Sequence, residues 1–130
     1  MTPEQAKTLK WFKWGELKHP ELCDYAFFVF LDSVREEYGW PLQITSDART
    51  PAENSVIDGS SSSSRHLAGQ AVDVAFPPSV NHLWWLVGAV FKCQRSFPIE
   101  LELVHGPGDT HVHIAWNTVG KASSLLLSLT

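Results

Sequence analysis

The stretch that most constrains the fold of this chain runs from Ile99 to Trp116. Ile99-Glu100-Leu101-Glu102-Leu103-Val104-His105 alternates almost perfectly, Gly106-Pro107-Gly108-Asp109 has the composition of a turn, and His111 to Trp116 alternates again. Period-two alternation on both sides of such a turn predicts an antiparallel hairpin. Successive side chains of a strand point to opposite faces, so the pattern also sorts the residues. Leu101, Leu103, Val112, Ile114 and Trp116 take one face, and Glu100, Glu102, Val104, His111, His113 and Ala115 take the other. If the apolar face packs on helices, the opposite face presents two histidines beside glutamate.

A second alternating segment, Gln70–Phe76, places Val72, Val74 and Phe76 on the core side and Asp73 with Ala71 and Ala75 on the other. Strands disfavour Asp, so Asp73 needs a partner there, either a cation or a hydrogen-bond network. The flanking alanines leave room for an ion and a substrate. His66 lies seven residues before Asp73 in Ser64-Arg65-His66-Leu67-Ala68-Gly69-Gln70-Ala71-Val72-Asp73. Taken singly, His66, Asp73 and His113 read as structural residues, and a lone His-x-His is a weak signal. Taken together on one coherent face they point to a metal. Catalytic zinc commonly takes three ligands from His, Asp and Glu and keeps a fourth position for water. Such a site would make the protein a metal-dependent hydrolase.

The remaining elements follow from capping and periodicity. Thr2-Pro3 reads as a helix start. An apolar face containing Leu22, Tyr25, Phe27, Phe28, Phe30, Leu31 and Val34 predicts a helix from about Pro20 to Tyr38, ended by Gly39. A short strand is expected at Leu42–Ser46, followed by loop over residues 47 to 65. The serine run Ser60–Ser64 lacks the glycines and lysine of a phosphate cradle and reads as surface loop. Ser79 caps an expected second amphipathic helix, Val80–Gln94, with Leu83, Leu86, Val87, Val90 and Phe91 inward. The tail Leu125–Leu129 is compatible with helix or strand. The fold class is α+β: a small antiparallel sheet with helices on one face and the candidate zinc site on the opposite face. No repeat or linker divides the chain, so residues 1–130 are expected to form a single domain.

Composition excludes several classes of partner. A formal charge of −4 is not the basic footprint of a nucleic-acid binder. The longest apolar runs, Tyr25–Leu31 and Leu83–Phe91, are too short to span a bilayer. Met1–Lys10 is polar and holds no signal-peptide core, so synthesis in the cytoplasm without a signal peptide is expected. Cys23 and Cys93 read as small hydrophobes rather than a disulfide or metal pair. The aromatic supply, including Trp40, Trp84 and Trp85, is assigned mostly to core packing, with lining of a cleft as the alternative.

The central motif resembles the S-x-H-x-x-G-x-A-x-D signature of the M15 zinc peptidases, a family of D-Ala-D-Ala carboxypeptidases and L-alanoyl-D-glutamate endopeptidases that includes phage endolysins. Ile44-Thr45-Ser46-Asp47-Ala48-Arg49-Thr50-Pro51 is similar to the family's I-T-S-x-x-R-T-P segment, and His111-Val112-His113 to its terminal signature. Phe12-x-x-x-Glu16-Leu17 and Val34-Arg35-Glu36-Glu37-Tyr38-Gly39 extend the likeness over roughly residues 10 to 116. The resemblance implies that His66, Asp73 and His113 bind one zinc ion. It implies that Arg49 and Ser64 hold the substrate carboxylate or polarise the scissile carbonyl, a task suited to the planar fork of Arg. Many members carry Glu or Asp three residues before the last ligand, where this chain has Thr110. Glu102 on the site-facing side of the hairpin is then the first expectation for the general base, with His111 as acid/base or oxyanion group and Asp109 in reserve. The implied substrate is a peptidoglycan stem peptide, cut by a monomer that reaches the wall after holin-type release. A non-catalytic zinc-containing peptidoglycan-binding or virion structural module is the alternative.

Overall fold

The structure is a computed structural model and describes residues 1–56, 64–118, 120 and 122–129. Among the described residues four α-helices form, each started by a side-chain cap. In α1 (Pro3–Ala6) the Thr2 hydroxyl accepts from Gln5 N–H while the Gln5 side chain accepts from Thr2 N–H. α2 (Tyr25–Tyr38) starts at Asp24, whose carboxylate accepts from Phe27 N–H, and stops at Gly39 with φ 82°, a left-handed conformation that suits Gly. α3 (Pro51–Ser55) is capped reciprocally by Thr50 and Glu53, and α4 (Val80–Lys92) by Ser79. Single 3₁₀ turns at Trp14–Glu16 and Pro20–Leu22 lead from α1 to α2.

Five strands form one sheet: β1 (Ile44–Ser46), β2 (Ala71–Ala75), β3 (Ile99–Gly106), β4 (Asp109–Trp116) and β5 (Ser124–Leu129), in the order β1-β2-β4-β3-β5. Neighbours are antiparallel except β3 and β5, which run parallel. β3 and β4 meet at a turn with Pro107 second and Gly108 (φ 77°) third, the residue pattern of a type II turn. The register sets Asp73 opposite His113 on one side of β4 and Glu102 opposite His113 on the other. Val72, Val74, Leu101, Leu103, Val112, Ile114 and Trp116 are buried in one cluster with Phe27, Phe28, Leu31 and Val34 of α2 and Leu83, Leu86 and Val90 of α4. That cluster lies on one face of the sheet. By alternation, Asp73, His111 and His113 project from the other.

The chain is thus mixed α+β with helices packed on the sheet, as the alternation implies. Four details differ from the sequence expectations. The helix expected from Pro20 begins at Tyr25, because the Asp24 cap outweighs the apolar Leu22. The segment read as loop contains α3, signalled by the Thr50-Pro51-x-Glu53 capping box. The Leu-rich tail is a strand, and its parallel pairing makes the sheet mixed rather than purely antiparallel. Trp40, Trp84 and Trp85 are exposed rather than packed in the core; Trp40 and Trp85 flank the His82 ring at centroid distances of 4.7 and 4.9 Å. Of the serine run, only Ser64 lies among the described residues.

Candidate metal centre

Asp73 is the hub of the polar face. Its Oδ1 lies 3.0 Å from His113 Nδ1, 3.4 Å from His66 Nε2 and 3.7 Å from His111 Nε2, and its Oδ2 is 3.8 Å from Arg49 Nη2. His113 comes to Asp73 through the β2–β4 ladder, where the two are direct partners. His111 arrives from two residues away on the same face of β4.

His66 reaches the cluster from the turn between α3 and β2, which is stapled on three sides. Arg49 N–H donates to the His66 carbonyl, Asp24 N–H to that of Gly69, and Trp116 N–H to that of Gln70. The Gln70 amide donates to Asp24 Oδ2 at 3.0 Å, and Arg65 donates to Gln70 Oε1. Gly69 holds φ 70°, and a Cβ there would overlap the Leu22 carbonyl oxygen and crowd the Asp24 nitrogen. Close approach and positive φ together require glycine at this position.

The hydrogen bonds fix which imidazole nitrogen faces inward. His66 Nδ1 is 2.7 Å from the Asp47 carbonyl oxygen, which can only accept, so Nδ1 carries a hydrogen and Nε2 is the nitrogen that faces Asp73. Asp47 is itself tied down, its carboxylate accepting from the Lys18 and His19 backbone N–H groups at 2.7 and 3.1 Å. His113 is turned the other way, with Nδ1 toward Asp73 and Nε2 3.1 Å from Glu100 Oε1. Burial alone would push the His113 imidazole down, but its hydrogen bonds to Asp73 and Glu100 outweigh that and raise it to about 9. Burial alone would push the Asp73 carboxyl up, yet hydrogen bonds from His113 and His66 hold it well below the usual carboxylate range.

The donor set suits a divalent ion. One ligand atom each from His66, Asp73 and His113 lies within 4.8 Å of the others. Tetrahedral zinc with ligands at 2.0–2.2 Å would separate them by about 3.3 Å, close to the 3.0 and 3.4 Å found from Asp73 Oδ1 to the two imidazoles. A backbone carbonyl behind His66 and a carboxylate behind His113 supply the outer hydrogen bonds that metal-bound histidines ordinarily have.

The other candidate residues divide into those that reach Asp73 and those that do not. Arg49 does, with Nη1 donating to Asn54 Oδ1 at 3.3 Å. His111 does, and its Nδ1 is held by Asp109 Oδ1 at 2.7 Å. Ser64 lies behind the cluster, its Oγ accepting from His66 N–H at 3.3 Å. Glu102 points away along the sheet, accepting from Ser128 Oγ on β5 at 2.5 Å. Glu100, which had no assigned role, is the carboxylate that touches His113, and its shared face with His113 was the available signal. Thr110 donates to the Gly106 carbonyl and belongs to the turn. Beside the cluster, a cavity of about 390 Å³ is lined by Lys18, Thr45, Ser46, Asp47, Arg49 and Glu53, among others. Arg49 and Asp47 thus border both the cavity and the centre.

No curated protein matches the chain. A family model described as Peptidase M15 matches residues 8–115, the span that holds every member of the cluster. M15 peptidases depend on a metal ion, and the His66/Asp73/His113 group is a candidate site for one. From its sequence and the residues gathered around Asp73, the chain belongs to the peptidase M15 family.

Proposed function

We propose that the protein is a zinc peptidase that hydrolyses an amide bond in peptidoglycan stem peptides, of the D-Ala-D-Ala carboxypeptidase or L-Ala-D-Glu endopeptidase type. The observation that carries this reading is the convergence of His66, His113, His111 and Arg49 on the Asp73 carboxylate. His66 through Nε2, Asp73 through Oδ1 and His113 through Nδ1 would hold one zinc ion. Bound there, zinc lowers the pKa of a coordinated water to about 7 and polarises the scissile carbonyl.

The remaining chemistry falls to the chain's own side chains. Arg49, held by Asn54 at the border of the cavity, presents a planar fork to a substrate carboxylate. Ser64 braces the turn that carries His66, beside its expected contact with substrate. His111, oriented by Asp109 and with Nε2 turned toward Asp73, takes the proton from the attacking water and returns it to the leaving amine. Glu102 is the second candidate for that role, since it stands directly opposite His113 in the ladder. A stem peptide would lie in the cavity along β1 with its scissile carbonyl toward Asp73. In this reading the enzyme acts as a monomer on the cell wall after holin-type release. No helix among the described residues is long and apolar enough to cross a membrane.

The test is mass spectrometry of sacculus digests with and without chelator, followed by zinc restoration. Zinc-restored release of D-Ala or of L-Ala-D-Glu cleavage products is the expected result. His111→Ala is expected to lower kcat by roughly 10²–10⁴-fold with zinc retained, and Asp109→Asn by less. Full activity in His111→Ala with loss in Glu102→Gln would transfer the base to β3. Zinc binding with no cleavage would favour a non-catalytic peptidoglycan-binding module, a reading supported by Thr110 standing where many relatives have an acid.

A further inference from the structure

We infer that Glu100 is a positioning residue of the metal centre, accepting the Nε2–H of His113 so that Nδ1 is the nitrogen turned to the Asp73 side, where a metal would displace its proton. The inference rests on His113 being a metal ligand and concerns a residue that neither the motif nor the triad includes.

The geometry is specific to Glu100. In the β3–β4 ladder His113 stands directly opposite Glu102, while Glu100 stands opposite Ala115. A long side chain reaches the diagonal neighbour on its own face, and the Ala115 methyl leaves the path over β4 open. Glu100 takes that path, with Oε1 3.1 Å from His113 Nε2. Glu102, the nearer residue by register, is drawn the other way by Ser128. The two glutamates are therefore not interchangeable: one serves the histidine and the other serves β5.

An imidazole has two nitrogens and can bind a metal through one only when that nitrogen is stripped of its proton. His66 has this settled by the Asp47 carbonyl. Among the described residues the partners of the His113 ring are carboxylates, and Glu100 fills the position that the Asp47 carbonyl takes behind His66. A carboxylate behind a ligating histidine fixes the tautomer, locks the ring orientation and makes the ligand nitrogen more basic. The Glu100 side chain is 38% exposed and lines no part of the core, so removing it need not disturb the fold.

The experiment measures zinc affinity by chelator competition for the wild type, Glu100→Ala, Glu100→Leu and Glu100→Gln, together with thermal unfolding of the metal-free proteins. Glu100→Ala and Glu100→Leu are expected to bind zinc roughly 10–100-fold more weakly, with metal-free Tm near that of the wild type. Glu100→Gln, which keeps an acceptor without the charge, falls between. Cobalt substitution adds a spectroscopic check: the d–d band shifts in the Ala and Leu variants and not in Glu102→Gln. Leu suits a strand, so Glu100→Leu decides the question if Glu100→Ala folds poorly. Wild-type zinc affinity in the Leu variant overturns the inference while leaving the metal centre intact. A wild type that binds no zinc overturns the metal reading itself.

Discussion

Two of the three candidate ligands stand on paired strands and the third on a loop, and the molecule holds the two kinds by different means. Asp73 and His113 are direct partners in the β2–β4 ladder, whose backbone hydrogen bonds and buried opposite face fix their spacing. Once Val72, Val74, Val112 and Ile114 are in the core, a one-residue slip would bury the polar set instead. His66 has no ladder. Its position depends on the Arg49, Asp24 and Trp116 N–H groups, on the Asp47 carbonyl, and on a glycine lying against the backbone of residues 22–24. Ladder ligands inherit precision from the core, whereas a loop ligand needs dedicated staples.

The largest expected effect comes from removing the hub. Asp73→Ala should abolish stoichiometric zinc and hydrolysis, and should destabilise the metal-free protein by about 3 kcal/mol, since breaking a buried pair strands the charged partner. Metal analysis and urea titration measure the two parts. Retained zinc would show that the ladder does not supply a ligand. Gly69→Ala comes next and strikes the loop alone. Left-handed backbone in a non-glycine residue costs about 1–3 kcal/mol, and the overlap with Leu22 adds to it. Zinc affinity should fall sharply while amide exchange of β2 and β4 stays slow; equal loss of protection in the ladder would erase the distinction between the two regions.

Arg49→Lys should retain zinc and lose roughly 10²-fold in kcat/KM, because a point charge cannot reproduce the fork. Steady-state kinetics on a defined stem peptide would expose near-normal turnover. The smallest effect uses Cys23, which is buried beneath the Gly69 turn. Burial pushes its thiol from 9.0 to about 11. Below both values the thiolate fraction falls tenfold per unit, so alkylation at pH 8 should run about 100-fold slower than at a free thiol. Zinc should slow it further if it tightens the turn. The same shift stabilises the fold fully below pH 9, and that contribution is lost as pH rises toward 11.

Alternation made the hairpin, its register and its polar face legible, because each depends only on a period of two and a turn. The two strand ligands, Asp73 and His113, were legible for the same reason, since their facing is set locally, whereas His66 was marked only by the motif that also holds Asp73. What the sequence hid was decided by tertiary partners. Glu100 and Glu102 have the same parity in one strand, and their tertiary partners, Ala115 and His113 on β4 and Ser128 on β5, distinguish them. That strand was illegible because Ser124–Leu129 is apolar without clear periodicity, and each of its residues pairs in parallel with one 24 positions earlier. The staple of His66 to the Asp47 carbonyl is likewise a backbone contact that side-chain patterns cannot announce. α3 is different: its capping box is present in the sequence but stands amid residues of loop composition that mask it.

The sequence separations across the sheet also predict an order of events in folding. His113 and Glu100 are 13 residues apart and meet across a tight hairpin, an arrangement that forms in roughly microseconds. His113 and Asp73 are 40 residues apart and meet only when β2 docks on the far side of β4, a slower non-local closure. A nascent chain therefore owns the histidine with its outer carboxylate before it owns the ligand set. Zinc, which needs the full set, would engage after the rate-limiting step, so added metal should lengthen the lifetime of the folded state far more than it shortens the time to reach it.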